Sequence, residues 1–144
     1  MNPTLRNTLG ILAAISAGYI TLAVAASIDY ALQLPMTAST AAGAVVMQLI
    51  GGWPHLVASA VFGGIAAVTV AAPRSRVWLY VVGGLAAAFR ASSYFYIAPV
   101  WQAWATTFLE VAVVAAIAAG VFALVARRYG RSARQQNPGI AAAP

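Results

Sequence analysis

Residues 101–128 read WQAWATTFLEVAVVAAIAAGVFALVARR, and this stretch decides the fold. From Trp101 to Ala126 its single charged residue is Glu110, and the next two residues are arginines. At about 1.5 Å per residue, a helix of this length crosses the ~30 Å of hydrocarbon in a bilayer. Backbone polar groups in lipid must be satisfied within the segment, so a helix is the expected form. The stretch therefore predicts a transmembrane helix.

Three further apolar stretches precede it, at about 9–27, 53–72 and 77–98. The mean hydropathy is +0.85 and 7% of residues are charged, against about a quarter in a soluble domain. At 144 residues there is room for one compact unit. We therefore predict an all-α membrane protein, in which residues 1–128 form a four-transmembrane-helix bundle.

The arginines indicate the orientation of this bundle. All eight basic residues are arginine, and seven lie outside the apolar stretches or at their ends. Four crossings place all seven on one side, which the positive-inside rule identifies as the cytoplasm. We expect both termini in the cytoplasm of a bacterium, the bundle in its inner membrane, and no nucleic acid partner. The arginines expected to contact anionic lipid headgroups are Arg74, Arg76, Arg127, Arg128, Arg131 and Arg134.

Two segments lie outside the spans. The outer connection from Ile28 to Gly52 is the only extended one, and hydroxyl residues after Pro35 followed by an apolar run predict a short extra helix there. Residues 129–144 lack apolar periodicity, so we predict a disordered basic cytoplasmic tail.

The first span has an alternative interpretation as a cleaved signal peptide, because a basic residue, an apolar run and small residues follow one another. Gly10, Ala14 and Gly18, however, recur at a spacing of four residues. Such a stripe of small residues is typical of a transmembrane helix packed against a neighbour. We expect a retained, packed helix.

Arg90 and Glu110 are the charged residues predicted to lie within the membrane. Each lies nine residues from the turn, counted from Pro99 and from Trp101, so on antiparallel helices both are about 13 Å from the outer surface. A lone charge at such depth costs at least ~2.5 kcal/mol on insertion scales, so the two are expected to pair. Three roles are open to the pair: it holds the two helices of the hairpin together, it forms an ion, proton or ligand site, or it contacts a partner subunit.

Other polar residues lie toward the outer face. Asp29 is expected to cap the first span and face water, and His55 to bond water or Asp29, with pigment or metal ligation as the alternative for His55. A polar pocket beside the ion pair is a further hypothesis, although hydroxyls also bond their own backbone and tyrosines mark the interface. Its members would be Ser92, Ser93, Tyr94, Gln102, Thr106 and Thr107.

The sequence contains no catalytic motif and no cysteine, and one histidine cannot supply two axial haem ligands. We predict no cofactor, no metal and no enzymatic activity. The expected function is that of an accessory or scaffold subunit in a larger membrane assembly, with other membrane subunits or copies of itself as partners. The alternative is an oligomeric small-solute or ion transporter or channel that uses the Arg90–Glu110 pair.

Several short motifs resemble one family. They are the opening run MNPTLRN (1–7), the Gly-Gly pair at 83–84, the turn IAPVW (97–101) and the acidic Glu110 in the last span. Together they resemble uncharacterised small four-helix bacterial membrane proteins that open with a Met-Asn-Pro-x-x-Arg-Asn run. Those proteins have a longer, more charged outer loop, and more often an aspartate in the last span. The resemblance implies the topology and carries over no functional residue.

Overall fold

A computed structural model describes residues 2–32, 51–71, 75–92 and 101–136, apart from the side chains of 101–103, 106 and 130–136. All regular structure in this part of the chain is helical, which confirms the all-α part of the prediction. The helices are α1 (Pro3–Leu32), α2 (Trp53–Thr69), α3 (Arg76–Ser92) and α4 (Trp101–Gln136).

The helices pack in the spatial order α1, α2, α4, α3. The main interfaces join α1 to α2, α2 to α4 and α4 to α3, whereas α2 and α3 contact each other only slightly. Chain directions follow from the contacts: α1 and α2 are antiparallel, as are α3 and α4, and α2 is parallel to α4. The end of α1, the start of α2, the end of α3 and the start of α4 therefore lie at one end of the bundle, called here the Arg90 end.

Small residues on α1 allow the close approach of α2. Gly10, Ala14 and Gly18 are buried, so the predicted packing stripe is confirmed. A Cβ added at Gly10 would lie 2.8 Å from Thr69 Oγ1, and one at Gly18 would lie 3.3 Å from Phe62 Cβ. The stripe is therefore used inside the bundle, against α2.

The crossing of α2 and α4 depends on Gly63. A Cβ at this position would collide with the carbonyl oxygen of Ala118 and would lie 3.0 Å from its carbonyl carbon. At the next residue, Gly64, an added Cβ would meet Val121 Cγ1 at an ordinary 3.8 Å. The backbones thus touch at Gly63, because only a hydrogen occupies the space there.

The core surrounds this crossing and extends from it mainly away from the Arg90 end. Phe122, Val70 and Val82 are its largest fully buried apolar side chains, and alanines fill most of the remaining space. Interiors are close-packed, so a core of alanines brings helix backbones near one another.

Polar contacts join α1 to the C-terminal end of α2, which lies opposite the Arg90 end. Val70 is extended and ends α2, which leaves the next backbone groups outside the helical pattern. Asn7 Oδ1 accepts from the backbone N–H of Ala71 at 2.7 Å, and Arg6 Nε donates to the carbonyl of Thr69 at 3.3 Å. Both side chains satisfy or supplement groups that a helix end exposes.

The helix ends differ from those expected. α1 continues to Leu32, and α4 continues to Gln136, so the prediction of a disordered tail from residue 129 is wrong for 129–136. The cause is local propensity: five of these eight residues are arginine, glutamine or alanine, which favour helices, and Gly130 alone costs only about 1 kcal/mol in a helix. Residues 137–144 and the predicted extra helix in 33–50 lie outside the described residues.

Two described helices are long and apolar enough to cross a membrane: α1, and residues 107–129 of α4. α2 is apolar but has 17 residues, and α3 has the same length. Large apolar side chains are exposed on all four helices, for example Ile20, Val68, Tyr80 and Phe108.

Candidate functional site

The charged residues predicted to pair are brought together by the structure. Arg90, in the last turn of α3, donates through Nη2 to Oε1 of Glu110 on α4. The Arg90 side chain is 12% exposed and that of Glu110 is 1% exposed. The two helices are antiparallel, so equal offsets from their connection place both residues at one level. A carboxylate so deeply buried requires compensation of its charge, which the guanidinium supplies.

His55 is the third member of this cluster. Its Nε2 lies 3.0 Å from Nη1 of Arg90. The expected bond to Asp29 is wrong, because this face of α2 turns toward α3 and Asp29 bonds Trp53 instead. A guanidinium has donors and no acceptor, so Nε2 must accept, and the ring proton is then on Nδ1. His55, Arg90 and Glu110, called here the polar triad, thus link α2, α3 and α4.

Asp29 has a different partner. Trp53 Nε1 donates to Asp29 Oδ1 at 2.7 Å, and the carboxylate is half-buried. The prediction that Asp29 caps the first span and faces water is therefore wrong. Since α1 runs on to Leu32, Asp29 lies within the helix and beside the start of α2. The bond joins α1 to α2 at the Arg90 end.

The predicted polar pocket does not include Ser92. This residue is exposed, and its Oγ donates to the carbonyl of Phe89, the local backbone bond named as the alternative. Thr107 is buried and lies three residues before Glu110 on the same face of α4. The other members lie outside the described side chains: Ser93, Tyr94, Gln102 and Thr106.

An apolar cavity of about 280 Å³ lies beside the triad. It lies between α1, α2 and α3, and Val114 of α4 also lines it. His55 and Arg90 are on its wall, and apolar side chains such as Phe62 form most of the rest. Tyr19 and Phe89 meet edge to face across α1 and α3, with ring centroids 6.3 Å apart. Sequence patterns did not reveal this cavity, because its apolar lining resembles any helix surface.

The remaining predicted residues form no second site in the described part of the chain. Arg76, Arg127 and Arg128 are exposed. Arg74 and the side chains of Arg131 and Arg134 lie outside the described residues. Across the described ranges, no group of three or more histidine, cysteine or acidic side chains could hold a metal ion.

Comparisons with known proteins assign no role to the site, so its role is inferred from its chemistry. No protein-family model, curated protein or solved structure matches the chain. The chemistry available in the described residues is hydrogen bonding and charge compensation by the triad, next to an apolar cavity.

Proposed function

We propose that this chain is a four-span protein of the bacterial inner membrane, with both termini in the cytoplasm, and that it acts without catalysis as an accessory or scaffold subunit. The membrane placement is supported by the alternating helix directions and by exposed apolar side chains on every described helix. In water such a surface would be costly, whereas lipid tails solvate it. Arg6, Arg76 and Arg127 all belong to the helix ends opposite the Arg90 end, as the positive-inside rule requires of a cytoplasmic face.

One feature of α4 is the main support for the proposed accessory role. Ala112, Ala116 and Gly120 are exposed and recur at a spacing of four residues, so they form an open small-residue stripe. A Cβ at Gly120 would meet nothing within 4 Å. Stripes of this kind let transmembrane helices approach closely. The corresponding stripe of α1 is used inside the bundle, but that of α4 is open to another helix.

The transporter alternative is supported by the polar triad but not by the rest of the core. Beyond the triad, Ser59 and Thr107 are the buried polar residues of the described part, and both lie toward the Arg90 end. The rest of the described core is apolar, with residues such as Val82 and Phe122. These leave no polar route along the axis of a single chain, within the residues described. A transport pathway would have to form between copies of the chain.

The test is mass determination after gentle extraction from the native membrane into nanodiscs. We expect the chain to co-purify with unrelated membrane subunits at fixed stoichiometry. Ala116→Leu should reduce this association, because the larger side chain would separate the helices. Ala13→Leu is the matched control, since Ala13 is exposed on α1 at the edge of the bundle.

Each other outcome has a definite meaning. A homo-oligomer that contains no other protein would contradict the accessory role and favour the transporter. A monomer would contradict both. Equal loss of association in Ala116→Leu and Ala13→Leu would show that the α4 stripe is not the contact.

A further inference from the structure

The cavity beside the polar triad has the size of a ligand site. Its volume of about 280 Å³ is just below the range for ligand pockets, roughly 300–1,000 Å³. It is also nearly twice the volume of an engineered apolar cavity of about 150 Å³ that binds benzene. The cavity is therefore large enough for an alkyl chain of about ten carbons or for two fused rings.

The cavity is accessible from the side of the bundle. Ile15 and Tyr19 on α1, and Leu85 and Phe89 on α3, line it and are themselves exposed. α1 and α3 are the outermost helices in the packing order and touch at the Tyr19–Phe89 ring pair. In a membrane, this opening faces the acyl chains, so the ligand would enter from lipid.

The polar end of the cavity specifies the head of the ligand. Arg90 and Glu110 are oppositely charged and paired, and His55 accepts from Arg90, so the triad is neutral as a whole. An anionic head would add an uncompensated charge at a site where Glu110 is 1% exposed, which is costly. Arg90 and the Nδ1–H of His55 are donors, and a neutral acceptor suits them.

We propose that this cavity binds an uncharged amphiphile from the membrane, with its apolar part between α1 and α3 and a carbonyl-type oxygen accepting from His55 or Arg90. The proposal rests on the membrane placement given above and is independent of an accessory role. Binding is measured on the purified full chain, so its failure can be distinguished from a failure of subunit association.

The experiment uses a methyl decanoate analogue that carries a photoreactive diazirine on its chain, with the full-length protein in phosphatidylcholine nanodiscs. Crosslinked residues are identified by mass spectrometry. We expect labelling on α1 and α3 around Tyr19 and Phe89, and competition by methyl decanoate. Decane, which lacks the acceptor, and decanoate at alkaline pH, which is charged, should compete weakly.

Variants separate the two parts of the site. Ala88→Phe narrows the opening and should abolish labelling, whereas Ala91→Phe, an exposed position on α3 that does not line the cavity, should leave it unchanged. His55→Phe keeps a ring but loses the donor, and should weaken competition by methyl decanoate about three- to tenfold, the value of one hydrogen bond.

Three results would overturn the proposal. Equal competition by decane and methyl decanoate would show that the triad does not recognise an acceptor. Stronger competition by decanoate would show that it recognises an anion. Absence of specific labelling in the wild-type chain would show that lipid-derived molecules do not enter the cavity, whatever the stability of the variants.

Discussion

Removal of one charge from the Arg90–Glu110 pair should destabilise the protein more than removal of both. Arg90→Gln leaves a carboxylate with 1% exposure and no guanidinium beside it. Loss of one partner from a buried pair costs about 3–5 kcal/mol, because the remaining charge is uncompensated. Glu110→Gln should cost less, near the lower end of that range, because the Arg90 side chain is 12% exposed and retains His55 as an acceptor.

The double replacement tests the coupling between these sites. Two neutral amides at these positions can bond to each other and leave no buried charge, so the double variant should lose less than Arg90→Gln alone. This requires a coupling energy larger than the loss of about 3 kcal/mol expected for Glu110→Gln alone, at or above the upper end of the usual range for contacting residues. The assay is reversible unfolding by sodium dodecyl sulphate in mixed micelles, read by tryptophan fluorescence. Additive losses in the double variant would refute the argument that each charge is stabilised by the other.

Two further predictions concern the packing of the helices. Gly63→Ala should destabilise the protein by about 1–3 kcal/mol, because the added methyl overpacks against the backbone of Ala118. Gly64→Ala should be neutral or stabilising by up to about 1 kcal/mol. Equal unfolding free energies for the two variants would contradict a backbone contact at Gly63. Trp53→Phe should cost about 1.5–3 kcal/mol, because it removes the indole donor to the carboxylate of Asp29. In an Asp29→Asn background the same change should cost distinctly less, and an unchanged loss would show that the bond does not stabilise the α1–α2 contact.

The helical class and the Arg90–Glu110 pair followed from the sequence because they depend on local quantities. Apolar length determines which segments can be long helices, and residue counts from a tight turn determine which charges share a level. The Gly10, Ala14 and Gly18 stripe was likewise predictable, since a spacing of four places small residues on one helix face.

The partner of His55 could not be predicted in this way. Its contact with Arg90 depends on the order in which helices pack and on the rotation of α2, and neither is encoded in spacing along one helix. The same holds for the cavity, which exists because the backbones of α1 and α3 do not pack closely and these helices meet through the Tyr19 and Phe89 rings. The end of α4 differs from the prediction because charge and polarity after Tyr129 are typical of disorder, whereas the arginines, glutamines and alanine there are also good helix formers.

The most direct measurement of the proposed topology is cysteine labelling across the native membrane. The chain has no cysteine, so single replacements report without background. Tyr30→Cys, at an exposed position on α1 at the Arg90 end, should react with a membrane-impermeant maleimide added from outside. Tyr129→Cys, exposed near the other end of α4, should react only from the cytoplasmic side. Labelling of both positions from the same side would contradict a four-span bundle with both termini in the cytoplasm.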